Sequence, residues 1–112
     1  METPKQTNPI SQATLDELVR RIVEAVHPLR IILFGSAARG EMGRHSDIDV
    51  MVVMPDGTHR RNSAKLVYRN LAGFGKPVDV VVATMDDLEK YRDSIGLIYR
   101  EALRDGKEIY VH

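Results

Sequence analysis

The residues in this chain best suited to chemistry are a few acids and a glycine-serine pair. Gly35-Ser36 is followed, ten residues on, by Asp47-Ile48-Asp49, and thirty residues past Asp49 stands Asp79. Asp47 and Asp49 open the apolar run Asp47–Met54, and Asp79 lies between Val78 and Val80 in a second run, Pro77–Ala83. Residues two apart on a strand point to the same face, so Asp47 and Asp49 share a side. A carboxylate in such a run is costly unless something positive pairs with it, and neither run contains a lysine or arginine. If the two runs are neighbouring strands that start at the same edge, three carboxylates converge there. A divalent metal is their natural partner. Hard oxygen ligands without Cys or His favour Mg²⁺ or Mn²⁺.

Gly35-Ser36 supplies the complementary half. Glycine lets a backbone approach a ligand closely. Ser36 suits the N-cap of a short helix over Ser36–Glu41, whose free N–H groups and positive dipole end favour phosphate. A phosphate cradle facing a metal-binding acid triad fits a metal-bound nucleoside triphosphate. Phosphoryl-type transfer needs mainly positioning and charge neutralisation, and two metals about 3.5–4 Å apart supply both. On this reading Asp47 and Asp49 bridge two ions. Asp79 completes the site of the ion that activates an acceptor hydroxyl, and helps remove its proton. Attack at the α-phosphorus then expels pyrophosphate.

The surrounding elements must position these groups. Leu15, Leu18, Val19, Ile22, Val23 and Val26 fall on one helical face over Ser11–His27. Either Thr14 with Glu17 (a capping box) or Ser11 starts this helix, and Pro28 stops it. Arg30–Phe34 reads as a strand ending at Gly35. Gly40, Gly43 and Ser46 mark a turn-rich connection to the strand Asp47–Met54, which is apolar on both faces beyond its acids and therefore central. That short connection requires the first two strands to be antiparallel. After the turn Pro55-Asp56-Gly57, a helix over Asn62–Phe74 is long enough for a parallel crossover to the strand Pro77–Ala83. Thr84, with Asp87 three residues on, caps another short helix. A last helix over Ser94–Arg104 and an edge strand over Glu108–Val111 complete an α/β (α+β) fold: a small mixed sheet of three to four strands with helices packed on it.

Bulk properties narrow the function class. The 112 residues suit one domain, read here as 11–112 behind a polar, flexible tail at 1–10. Sixteen Lys and Arg balance sixteen Asp and Glu, which argues against a dedicated nucleic-acid binder but leaves room for a local basic patch. No apolar run is long enough for a membrane span. The absence of cysteine excludes disulfides and thiolate metal sites and fits a cytoplasmic location. His59-Arg60-Arg61 reads as a solvated helix start, Asp86 and Asp87 as helix-start carboxylates, His45 as loop, and Tyr68, Tyr91, Tyr99 and Tyr110 as packing residues.

Leu33-Phe34-Gly35-Ser36-Ala37-Ala38-Arg39-Gly40 with Ser46-Asp47-Ile48-Asp49-Val50 resembles the minimal nucleotidyltransferases of the DNA polymerase β superfamily, over roughly Leu15 to Val111. The resemblance implies a palm-like fold and two Mg²⁺ ions, with ATP as the default substrate. It implies that Gly35 and Ser36 bind triphosphate and that Asp47, Asp49 and Asp79 bind metal. Arg39 and Ser46 match frequent family positions. Small stand-alone members of the family are often encoded beside a helical HEPN protein resembling an RNase toxin, and act as antitoxins by adenylylating a toxin tyrosine. An HEPN partner is therefore the first expectation, with no membrane and no direct nucleic-acid contact. Transfer to a small-molecule hydroxyl, as in antibiotic modification, and a non-catalytic antitoxin that blocks its toxin by contact are the alternatives.

Overall fold

Short β-branched runs joined by amphipathic helices give the order α1 (Gln12–Val26), β1 (Arg30–Phe34), α2 (Gly35–Ala38), β2 (Ile48–Met54), α3 (Arg60–Asn70), β3 (Val78–Thr84), α4 (Met85–Tyr91) and β4 (Lys107–Val111). The computed structural model describes residues 10–40, 47–91 and 106–112. The anticipated helix over Ser94–Arg104 lies outside these residues. So does the tail, apart from Ile10, which packs against the core.

The sheet order is β3-β2-β1-β4. β1 pairs antiparallel with β2, with Phe34 opposite Asp49. β2 and β3 run parallel, joined through α3 as a crossover requires. β4 pairs antiparallel with β1, with an irregularity between Ile31 and Ile32. The expected inner position of β2 and the expected edge strand near the C-terminal end are both observed.

Strand alternation sends side chains to two faces. Ile31, Leu33, Ile48, Val50, Val52, Met54 and Val82 pack under Leu18 and Ile22 of α1, Val67 of α3 and the alanines of α2. Ile32, Phe34, Met51, Val53 and Ala83 form a second layer with Leu88 of α4. Burying side chains of this size contributes about 1.5–3 kcal/mol each, so the alternation of β2 fixes which way its acid points. Asp49 is in phase with Met51 and Val53, on the second face, and Asp79 is in phase with Val81 and Ala83.

Local signals set the element ends. Ser11, not a Thr14–Glu17 box, caps α1: its hydroxyl accepts from the Thr14 amide at 3.1 Å, while Glu17 turns to Arg20 and Arg21. His27 takes a left-handed φ of 48° as C-cap, and Pro28 follows. Arg21 donates to the Asn70 and Ala72 carbonyls, and the Asn70 amide returns a bond to the Arg21 carbonyl, tying α1 to the end of α3. α3 begins two residues earlier than its hydrophobic pattern suggests. His59 Nδ1 accepts from the Asn62 amide at 3.1 Å and serves as the cap. Tyr68, expected to pack, instead stands half exposed. Its hydroxyl accepts from the Val80 amide at 2.8 Å, closing a donor on the outer edge of β3.

Candidate functional site

β2 and β3 are parallel and in register with Asp49 directly beside Asp79. Both acids therefore sit at the same edge of the sheet, on the same face, which meets the condition that their two strands be parallel neighbours. Asp47 lies just before β2 and is exposed. It reaches Asp79. Although Asp79 is exposed overall, its carboxyl is raised above its ordinary value, first by partial loss of water around it, then by the charge of Asp47 and a hydrogen bond with Asp47. Like charges placed this close repel, and a cation beside them would relieve the repulsion.

Gly35 closes the site on its other side. It follows Phe34, the strand partner of Asp49, and has φ of +71°. A Cβ there would stand 2.5 Å from Oδ2 of Asp49. The position thus demands glycine twice, for its left-handed backbone and for the carboxylate resting against it. The buried Gly35 backbone and the Asp49 side chain are consequently in immediate contact.

Two sequence expectations change here. Ser36 does not cap α2. The helix starts at Gly35, the cap position is Phe34 without a side-chain bond, and Ser36 is half buried in the first turn. The helix also ends at Ala38, before Glu41. Glycine's conformational freedom lets the helix begin immediately at the strand end, which spacing alone could not reveal. Arg39 is exposed at the C-cap of α2. Ser46 and His45 lie outside the described residues.

Among the described residues, no group of three or more His, Asp or Glu side chains is set to hold a metal ion as it stands. The acids are gathered at one edge without forming a closed cage. Their chemistry nonetheless fits Mg²⁺, which commonly takes one or two carboxylates together with substrate phosphates and water instead of a complete protein cage. A dication beside Asp47 and Asp79 would also relieve their like-charge contact.

Two open clefts, of about 630 and 400 Å³, occupy the opposite edge of the sheet. Gly57, Thr58 and Arg60 line both, with His59 and Arg61 in one and Thr84, Asp86, Asp87 and Lys90 in the other. They lie past the ends of β2 and β3, about 17 Å along the strand from Asp79 at 3.3 Å per residue, and neither touches the three acids. An architectural device missed in the sequence sits here. Arg60 donates to the buried carboxylate of Asp87 at 2.5 Å. Asp87 also accepts from the Thr84 amide at 3.0 Å, and its own amide donates to the Thr84 hydroxyl at 3.1 Å. The anticipated Thr84 cap is therefore present as a reciprocal box. The Asp86 amide donates to Asp56 at 2.7 Å, fastening the preceding turn. Burial would raise the pKa of Asp87, but the bonds from Arg60 and Thr84 outweigh it and hold the carboxyl below its ordinary value. Only the strand-to-helix fold brings Arg60 and Asp87 together across 27 residues.

A sequence model of the nucleotidyltransferase domain matches residues 15–107. No curated protein gives a significant direct sequence match. Among solved structures, a chain from a toxin–antitoxin crystal structure with AMP-PNP is similar at 22% identity and a TM-score of 0.60, covering 92% of this chain and 75% of that one. A chain from the complex of tri-AMPylated Shewanella oneidensis HEPN toxin with MNT antitoxin is 18% identical with a TM-score of 0.62, covering 92% and 74%. A chain described as a nucleotidyltransferase from Sulfolobus solfataricus is 23% identical with a TM-score of 0.59, covering 89% and 79%. At these identities the structural likeness concerns the fold.

Proposed function

Because the chain belongs to the nucleotidyltransferase domain family, we propose that it transfers a nucleoside monophosphate, AMP from ATP, to a tyrosine hydroxyl of an HEPN-domain partner and acts as that partner's antitoxin in the cytoplasm. The observation that carries the catalytic part is Asp79 in register beside Asp49, with Asp47 in contact and Gly35 pressed against the Asp49 carboxylate. Asp47 and Asp79 are exposed and Asp49 is half buried, so the three acids open to solvent at the strand starts, where a substrate can reach them. The partner assignment draws on structural neighbours taken from toxin–antitoxin complexes, one with AMP-PNP and one with a tri-AMPylated HEPN toxin.

Each residue has a task in this reading. Gly35 and Ser36 receive the triphosphate through backbone N–H groups of the first turn of α2. Arg39, exposed at the end of that turn, and Ser46 complete the nucleotide contacts. Asp47, Asp49 and Asp79 would hold Mg²⁺, which neutralises charge on the phosphates and on the attacking and leaving oxygens. Asp79 accepts the proton of the acceptor hydroxyl. The hydroxyl oxygen then bonds to the α-phosphorus as the bond from that phosphorus to pyrophosphate breaks. Asp49 and Asp79 are fixed by strand pairing before substrate arrives, so their orientation costs little during reaction.

The test is incubation with α-labelled ATP, Mg²⁺ and the adjacent gene's product. Label should appear on a tyrosine of that protein and disappear with Asp49→Asn, whose fold should survive. Label only on an added aminoglycoside would overturn the partner assignment. Full transfer by Asp49→Asn would overturn the catalytic site.

A further inference from the structure

The zero net charge conceals a strong segregation. Between Asp56 and Asp79 the chain has five Lys and Arg (Arg60, Arg61, Lys65, Arg69 and Lys76) and no Asp or Glu, leaving sixteen acids against eleven bases elsewhere. Most of this positive charge lies on α3. At 100° per residue, Arg61, Lys65 and Arg69 form one stripe spanning about 80° and rising about 12 Å. The stripe lies opposite the buried face marked by Ser63 and Val67. All three are exposed, as is Lys76 in the turn that leads back to β3.

Pairing separates these cations from the others. Arg20 and Arg21 are neutralised by Glu17, with Glu24 also on Arg20; Arg30 meets Glu108, and Arg60 meets Asp87. Among the described residues, Arg61, Lys65, Arg69 and Lys76 have no acidic partner. Like charges four apart on a helix repel and destabilise it. Local stability gives no reason for such a stripe, whereas a polyanion laid along it does.

We propose that the outward face of α3, through Arg61, Lys65 and Arg69 with Lys76, binds the phosphate backbone of a nucleic acid. Evenly spaced flexible cations on an open helix suit a repeating anion, and only Arg61, at the start of the stripe, also borders one of the open clefts. Because α3 returns antiparallel to β2 and β3, the track runs from the clefts at one sheet edge to Lys76, three residues before Asp79. A strand bound there would be held alongside the acids, not across them. This site stands independently of the nucleotidyl-transfer reading.

Fluorescence anisotropy tests it, with a labelled 30-nucleotide single-stranded RNA and a duplex DNA of equal length as probes. At least one should bind at low salt, and the tighter of the two identifies the source of the phosphates. For RNA, three or four neutralised phosphates predict a slope of log K against log[salt] of about −2 to −3, or about 20- to 50-fold weaker binding at 200 than at 50 mM. R61Q/K65Q/R69Q, which keeps good helix formers, should weaken binding at least about tenfold, given the charge it removes. Lys76→Gln, outside the helix, should lower the slope by about 0.7. Asp49→Asn should bind as the wild type does. The proposal falls if neither probe binds, if R61Q/K65Q/R69Q binds equally well, or if Asp49→Asn loses as much affinity as R61Q/K65Q/R69Q. It also falls if poly-L-glutamate displaces the nucleic acid at equal charge concentration, which would mark the face as a dock for acidic protein.

Discussion

Alanine substitutions at Gly35 and Gly40 divide the demands of the site into two measurable parts. Both glycines have φ of +71°, but a Cβ at Gly35 meets Asp49 Oδ2 at 2.5 Å and one at Gly40 meets nothing within 4 Å. The left-handed backbone alone costs alanine about 1–2 kcal/mol. With an unfolding entropy of about 2.1 cal/mol/K per residue, a chain of this length loses about 4 °C of Tm per kcal/mol. Gly40→Ala should therefore melt about 4–8 °C lower and keep its transfer activity per folded molecule. Gly35→Ala bears the same backbone cost plus a collision well inside ordinary contact distance. If the structure holds rigid, overpacking adds about 1–3 kcal/mol, lowering Tm by about another 4–12 °C at the same conversion. If Asp49 swings away instead, Tm is spared and the carboxylate is displaced by an ångström or so, an error that costs on the order of a hundredfold in rate. Thermal unfolding with initial rates of label transfer distinguishes these routes. Equal melting and equal rates in the two variants would refute the idea that Gly35 exists to seat Asp49.

Two further perturbations probe the frame. Asp87→Asn should cost about 1–3 kcal/mol near neutrality through loss of the charged bonds to Arg60 and Thr84, moderated because Arg60 is half exposed. Since the Asp87 carboxyl sits below its ordinary value of 3.8 when folded, that stabilisation is present above about pH 4. It disappears as pH falls through the lowered folded value, so urea melts of wild type and variant should converge in acid. Tyr68→Phe should leave transfer intact and cost about 0.5–1.5 kcal/mol. The Val80 amide, bonded at 2.8 Å to the lost hydroxyl, should exchange its hydrogen faster, and unchanged exchange would count against the edge-closing role.

Apolar residues on both faces of Asp47–Met54 were enough to place β2 inside the sheet, and the two-residue repeat of a strand put Asp49 on a defined face. The crossover length likewise allowed Asp49 and Asp79 to share an edge. Several features left no comparable trace. That Gly35 opens α2 itself depends on a backbone angle. His59 as a cap and Tyr68 as an edge donor's partner involve residue types with many uses. The Arg60–Asp87 bond joins residues 27 apart that only the third dimension makes neighbours. The acids were legible as a set, but their distances were not, and the contact between Asp47 and Asp79 emerges only from the folded chain.

The alignment of Asp49 with Asp79 has a consequence for how this protein tolerates change. The parallel register of β2 and β3, kept by the apolar rows above, sets the two acids side by side. Sliding one strand by a single step would turn its apolar row out to water and its acid to the wrong side at once. Selection for a dry interior therefore also maintains the chemistry. Substitutions that merely loosen those rows deep in the sheet should dull catalysis well before they melt the protein.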